Sequence, residues 1–259
     1  MQKPPDRKSP QVLFTRSINE WINQVTQKHK QFAELQLSAE EKANIERYVE
    51  TEFIYSTLKL EDDDYTREQI ARIVSQSAGA TGEKDLPAFA LLTAIRRIEE
   101  LVKTDGRAAR LTIELLIELN NQVGRGSGFR TTADDRTLSS KLVPVEHLPA
   151  IIENACQWYT AESFDELNPI EQASIVFLRL IEIQPFERAN LQTALAAASL
   201  FTLRSTLPPV IIRPERKSAF LNAIEESRRT NTKPMVELMA DAAQITLGEM
   251  IDKGKGRKS

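Results

Sequence analysis

The sequence predicts an all-α protein, a helical bundle with one small hairpin. Three observations carry this: apolar residues recur at helical spacing along most of the chain, Ser/Thr–Glu/Gln capping boxes open two of the segments, and an Asn-Pro step opens a third. Val12, Ile18, Trp21, Ile22 and Val25 keep the helical period in the first segment. Ser38 with Glu41 starts a second helix, through Ile45, Tyr48, Val49 and Phe53. Thr66 with Gln69 opens a short third one through Ile70, Ile73 and Val74. The next two helices cover Leu86 to Val102 and about Ala108 to Val123, the latter ended by Gly124, Gly126 and Gly128. Residues 124–146 carry no helical period and form the longest irregular stretch, of a length that compact domains keep for functional or mobile loops. Helical pattern resumes from His147 to Tyr159. It returns after the Asn168-Pro169 cap, through Ile175, Val176, Leu178 and Ile181. A break at Gln184-Pro185-Phe186 precedes a helix from Asn190 to about Leu203. Pro208-Pro209-Val210-Ile211-Ile212 is a brief extended piece, and the last two helices span roughly Pro214 to Arg228 and Pro234 to Leu247.

Composition narrows the function classes. At 259 residues the chain can bury a sizeable core, and its net charge of −3 gives no global pull toward nucleic acid or an anionic membrane. No apolar run is long enough to span a bilayer, and no apolar stretch follows the charged start as a secretory signal requires. The expected compartment is the cytoplasm. Cys156 is the sole cysteine and reads as a small buried hydrophobe. Residues 1–10 and 249–259 read as loose tails, the second one basic, with a helical region at 11–106 and a core domain at 107–248 between them.

One short stretch can carry chemistry. Gln184-Pro185-Phe186-Glu187-Arg188-Ala189-Asn190-Leu191-Gln192 places a tight turn before a helix N-terminus, where unpaired amides and the positive dipole end suit an anion. Taken alone, it is equally a corner between two helices with Phe186 plugging the core. Three further stretches change the weighting: Thr57 to Glu61 at the end of the second helix, Gly128-Phe129-Arg130 before the irregular loop, and Pro208 to Glu215.

In that order, and at these separations around the QPF, the set resembles Fic (Fido) proteins of the class with an N-terminal inhibitory helix, over roughly residues 45 to 240. The resemblance implies the Fic fold, AMP transfer from ATP to a protein hydroxyl, and Mg²⁺ as the metal. It places Gln184 where the family has its catalytic histidine and Arg188 where it has its acidic metal ligand. Ala189 and Asn190 keep the small and phosphate-contacting residues; Gln192 and Leu195 replace the two phosphate-clamping arginines. Thr57 and Glu61 match the Ser/Thr-x-x-x-Glu inhibitory signature, while Gly128, Phe129 and Arg130 match the element leading into the flap. A carboxamide cannot take a proton near neutral pH, and a fixed cation repels Mg²⁺.

The expectation is therefore an inactive regulatory or protein-binding pseudoenzyme needing no cofactor, with a protein as partner and self-association open. The alternatives are a metal-independent nucleotide or phosphate sensor using Arg188, Asn190 and Gln192, and a weakly active nucleotidyltransferase. Three side expectations follow. Glu61, without its arginine, pairs with Arg188. Glu187 stands beside the lost acid position as a substitute metal ligand, or simply as a solvated residue or ion-pair partner of Arg188. His147 is a replacement base or an ordinary capping or surface histidine.

Overall fold

The computed structural model describes residues 18–76, 82–124, 126, 128–132, 143–227 and 231–256. Eleven α-helices are found among these: α1 (Ile18–Ala33), α2 (Ala39–Leu60), α3 (Arg67–Ser75), α4 (Leu86–Asp105), α5 (Ile113–Gly124), α6 (Leu148–Trp158), α7 (Glu162–Asp165), α8 (Pro169–Ile183), α9 (Asn190–Leu203), α10 (Lys217–Glu226) and α11 (Lys233–Gly254). The local starts follow the sequence. Ser38 and Glu41 close a reciprocal capping box on α2, as do Thr66 and Gln69 on α3, each satisfying two amides that a helix start would leave unpaired. Asn168 and Glu171 form a third box, with Pro169 at the first helical position of α8.

The bundle is built around α9. Every residue from Thr193 to Thr202 is buried, which fits a helix enclosed on all sides by α4, α5 and α8. Helix α2 is nearly as enclosed over its second half, from Val49 to Leu60, and packs against α3, α4 and α11. The last helix also receives α1, α8 and α10. One hydrophobic core runs through both the N-terminal helices and the later ones.

Several boundaries differ from the sequence reading. Helix α5 begins at Ile113 rather than about Ala108, because Gly106–Ala108 closes a 3₁₀ turn and Thr112 caps the following helix through Leu115 N–H. Helix α11 runs on to Gly254, past Leu247 and into the stretch read as a tail, because Met250 and Ile251 still reach the core. The described residues contain no strand. Val210 to Ile212 belongs to no strand, its Val210 N–H donating instead to Ser199 Oγ at 3.0 Å, and Phe129 forms a single antiparallel bridge with Phe186. Residues 133–142 of the predicted flap, the tail 1–10 and residues 257–259 of the predicted tail 249–259 lie outside the described residues.

Candidate functional site

The corner between α8 and α9 is made by two residues in the left-handed region. Gln184 caps α8 at φ 44°, its N–H donating to Leu180 O at 2.9 Å, and Ala189 opens α9 at φ 56°. Non-glycine residues adopt this conformation at a cost, so the surroundings must hold it. They do so from three sides.

Within the turn, Asn190 Oδ1 accepts from Phe186 N–H at 3.0 Å and its Nδ2 donates to Phe186 O at 2.7 Å, so the asparagine grips the loop that precedes it. From the flap side, Arg130 N–H donates to Pro185 O at 2.8 Å and Arg130 Nε to Gln184 O at 2.8 Å, while Phe129 stacks on Phe186 with centroids 5.7 Å apart. The Arg130 guanidinium is buried and also reaches the carbonyls of Thr132 and Val143, so one side chain fastens both sides of the irregular loop to the turn. Gly128, at φ 78°, supplies the positive dihedral that turns the chain into this arrangement.

The third support comes from α5. Asn120, 1% exposed, donates from Nδ2 to Arg188 O at 2.8 Å and to Thr193 Oγ1 at 3.1 Å. Beside it, a Cβ on Gly124 would meet Ala189 Cβ and Arg188 O at 3.2 Å each, so glycine there lets the end of α5 approach the turn closely. The sequence reading took Gly124 as a helix terminator and passed over Asn120. A signal existed: Asn120 follows the buried Leu116 by four residues and so falls on the inward face of α5. Replacing Asn120 by alanine is expected to cost about 1–3 kcal/mol, the penalty for stranding a buried carbonyl. Urea unfolding of the variant checks it; a change under about 0.5 kcal/mol, the range of ordinary surface substitutions, would show that the turn holds itself.

The side chains that bear on chemistry are arranged as follows. Arg188 is exposed and, among the described residues, forms no ion pair. The expected Arg188–Glu61 pair is not formed: Glu61 Oε2 accepts instead from Gln192 Nε2, because α9 carries Gln192 toward the end of α2. Leu195, expected from the resemblance at the second arginine position, is 1% exposed within the core. Thr57 is buried a turn before Glu61, and no hydrogen bond among the described residues joins it to the corner. Glu187 pairs neither with Arg188 nor with a metal-ligand partner. Its carboxylate accepts Thr131 N–H at 2.7 Å and Thr131 Oγ1 at 3.3 Å, and those bonds, Thr131 N–H first, hold its pKa below the usual carboxylate value. His147 is exposed in the 3₁₀ turn before α6 and makes no capping hydrogen bond there. Cys156 is buried, and burial pushes its thiol up to about 11, which leaves it an unreactive packing residue.

These residues do not fit a divalent cation. Arg188 brings a positive charge to the position expected, from the resemblance, to hold the metal-binding acid; the neighbouring Glu187 is engaged with Thr131, and no cluster of three His, Cys, Asp or Glu side chains exists among the described residues.

Comparison with known proteins agrees with this architecture. Residues 110–202 match the model of the Fic/DOC family, a span that begins just before α5 and ends inside α9. That span contains the corner between α8 and α9. A stretch of 100 residues is 25% identical to the protein adenylyltransferase Fic of Drosophila mojavensis, covering 39% of this chain and 20% of that relative. The match thus spans about a fifth of the length of the curated relatives. Among solved structures, a Fic domain containing signaling protein from Bacteroides thetaiotaomicron superposes with a TM-score of 0.79 at 20% identity, over 92% of this chain and 98% of that one. Fic-1 from C. elegans also gives 0.79, at 19% identity, over 93% and 74%. The chain has the Fic fold. No helix among the described residues is long and apolar enough to cross a membrane.

Proposed function

We propose that this chain is a Fic-fold binding or regulatory protein that does not transfer AMP by the family's chemistry. The supporting observation is Arg188: it stands exposed on a turn fixed by Asn120, Asn190 and Arg130, and the sequence resemblance gives this position to the metal-binding acid. A turn held from three sides cannot readily swing another carboxylate into that place. Gln184 adds a second loss, since an amide offers no basic site for the proton of an attacking hydroxyl. The scaffold around these two residues is kept, which supports a role for the surface rather than for turnover. The curated relatives are named protein adenylyltransferases, so the partner class we assign is a protein, met at the corner and the flap root.

A second reading, a phosphate or nucleotide sensor working without metal, is favoured by one observation. Arg188 has no ion pair among the described residues, leaving its guanidinium free to meet an anion. Against it, both polar atoms of Asn190 are already bonded to Phe186. Calorimetry with ATP, ADP and AMP in the absence of magnesium decides it: no heat at millimolar ligand removes the sensor. Incubation with radiolabelled ATP, magnesium and cell extract tests the main reading. No protein should gain label above the level seen with a Gln184→Ala variant; label that depends on Gln184 overturns the proposal.

A further inference from the structure

The contact between α2 and α9 leaves one polar atom unexplained. Gln192 Nε2 donates to Glu61 Oε2, yet Gln192 Oε1, on the same amide, is buried and has no hydrogen-bond partner among the described residues. An orphaned amide oxygen in the interior costs on the order of 1–3 kcal/mol, so such atoms are nearly always met by a donor. An ionised carboxylate only accepts and cannot supply one; a protonated carboxyl has an O–H to give.

We propose that Glu61 carries a proton and closes a carboxylic acid–carboxamide pair with Gln192, latching the end of α2 to the first turns of α9. Two complementary hydrogen bonds then form: the amide N–H donates to one carboxyl oxygen, and the carboxyl O–H donates to the amide oxygen. No charge is left at the joint. The charged groups facing Glu61 fit this arrangement. Asp63, in the loop just after α2, opposes ionisation, and Lys217, at the start of α10, favours it but is already held by Asp62 at 2.6 Å. Lys59 is paired with Asp64 at 3.8 Å. Burial first, and Asp63 second, push the Glu61 carboxyl up to about 7. Water reaches the exposed side of the residue and screens part of this shift, so its direction matters more than its size.

The linkage has a definite sign. A carboxyl whose pKa rises on folding stabilises the folded chain fully below its unfolded value, near 4.5, and loses that contribution as pH climbs through about 7. The joint is therefore closed in mildly acidic conditions and loosens above neutrality, whether or not the corner beside it binds a nucleotide. A water molecule meeting the orphan oxygen is the competing account, and it leaves Glu61 ionised at neutral pH.

The test uses the full chain with ¹³C-labelled glutamate. Side-chain carboxyl resonances are followed from pH 4 to pH 9 in wild type and Glu61→Gln, and infrared carboxyl stretches are recorded for wild type and Gln192→Leu. Glu99 is also pushed up to about 7 by burial, with Glu50 adding to it, so two high-titrating carboxyls are expected in wild type and one in Glu61→Gln. The protonated Glu61 stretch should move to the higher frequency of an unbonded acid in Gln192→Leu. Loss of no high-titrating carboxyl in Glu61→Gln overturns the proposal, and so does an unmoved stretch in Gln192→Leu. Because Glu61→Gln keeps an amide at the joint, its fold should hold and its stability should be flat across pH 5 to 8 at this site.

Discussion

Glu52→Ala is expected to be the most destabilising single truncation outside the apolar core, at about 3 kcal/mol. Glu52 is 4% exposed in the enclosed half of α2. It accepts from Arg213, itself 7% exposed, and from Arg67 Nε at 2.9 Å. Removing one member of a buried pair costs about 3–5 kcal/mol because the other charge stays buried without its counterpart. The lower end applies here, since Arg213 also binds Glu249, which is half open to solvent and can draw the guanidinium toward itself. Replacing both Glu52 and Arg213 by methionine should recover much of the loss, because the desolvation penalty disappears together with the attraction. Urea unfolding of the three variants against wild type measures this. A Glu52→Ala change within about 0.5 kcal/mol of wild type would mean that the pair is solvated in practice.

That ion pair also shows where the sequence stopped being legible. The helical period through Ile45, Val49 and Phe53 located α2 and one buried face, and the Ser38–Glu41 box fixed its start. Nothing in the period announces that Glu50, Glu52, Ser56 and Thr57 are buried as well, and the arginines that partner Glu50 and Glu52, Arg96 and Arg213, come from α4 and from the segment after α9. Capping chemistry is local and could be read; charge pairing across the bundle is not. The same division runs through the site. The turn at Gln184 to Asn190 was evident from Pro185 and from the apolar helices on both sides. Its supports were not: Asn120 lies 68 residues from Arg188, and Glu61 lies 131 residues from Gln192. Opposite charge alone suggested Glu61 with Arg188, but helix geometry decides the partner. Gln192 sits within the first turn of α9, on the side that meets the end of α2, whereas Arg188 precedes the helix and faces solvent.

If the corner is an altered catalytic motif, restoring its parts should restore chemistry in a definite order. Gln184→His alone is expected to leave AMP transfer at the wild-type background, because a positioned base contributes about 10²–10⁴ only where the phosphates and their metal are already held. Arg188→Asp alone should do no better, lacking the base. Combining the two is expected to raise transfer by at least about 10²-fold over either single variant, since groups that act as a unit are far from additive. The outer-phosphate clamp will still be missing, and the fold resists its return: Leu195→Arg would bury a fixed positive charge at a position 1% exposed inside α9, a large desolvation cost unless a carboxylate moves in to pair with it. The double variant should therefore remain slow and bind ATP weakly, with the deficit in KM as well as in kcat. Self-modification with radiolabelled ATP and magnesium reads all of this in one gel. A fully active Gln184→His chain would show that Arg188 does not occupy the metal position, and an inert double variant whose far-UV dichroism matches wild type would show that more than two side chains separate this corner from a working one.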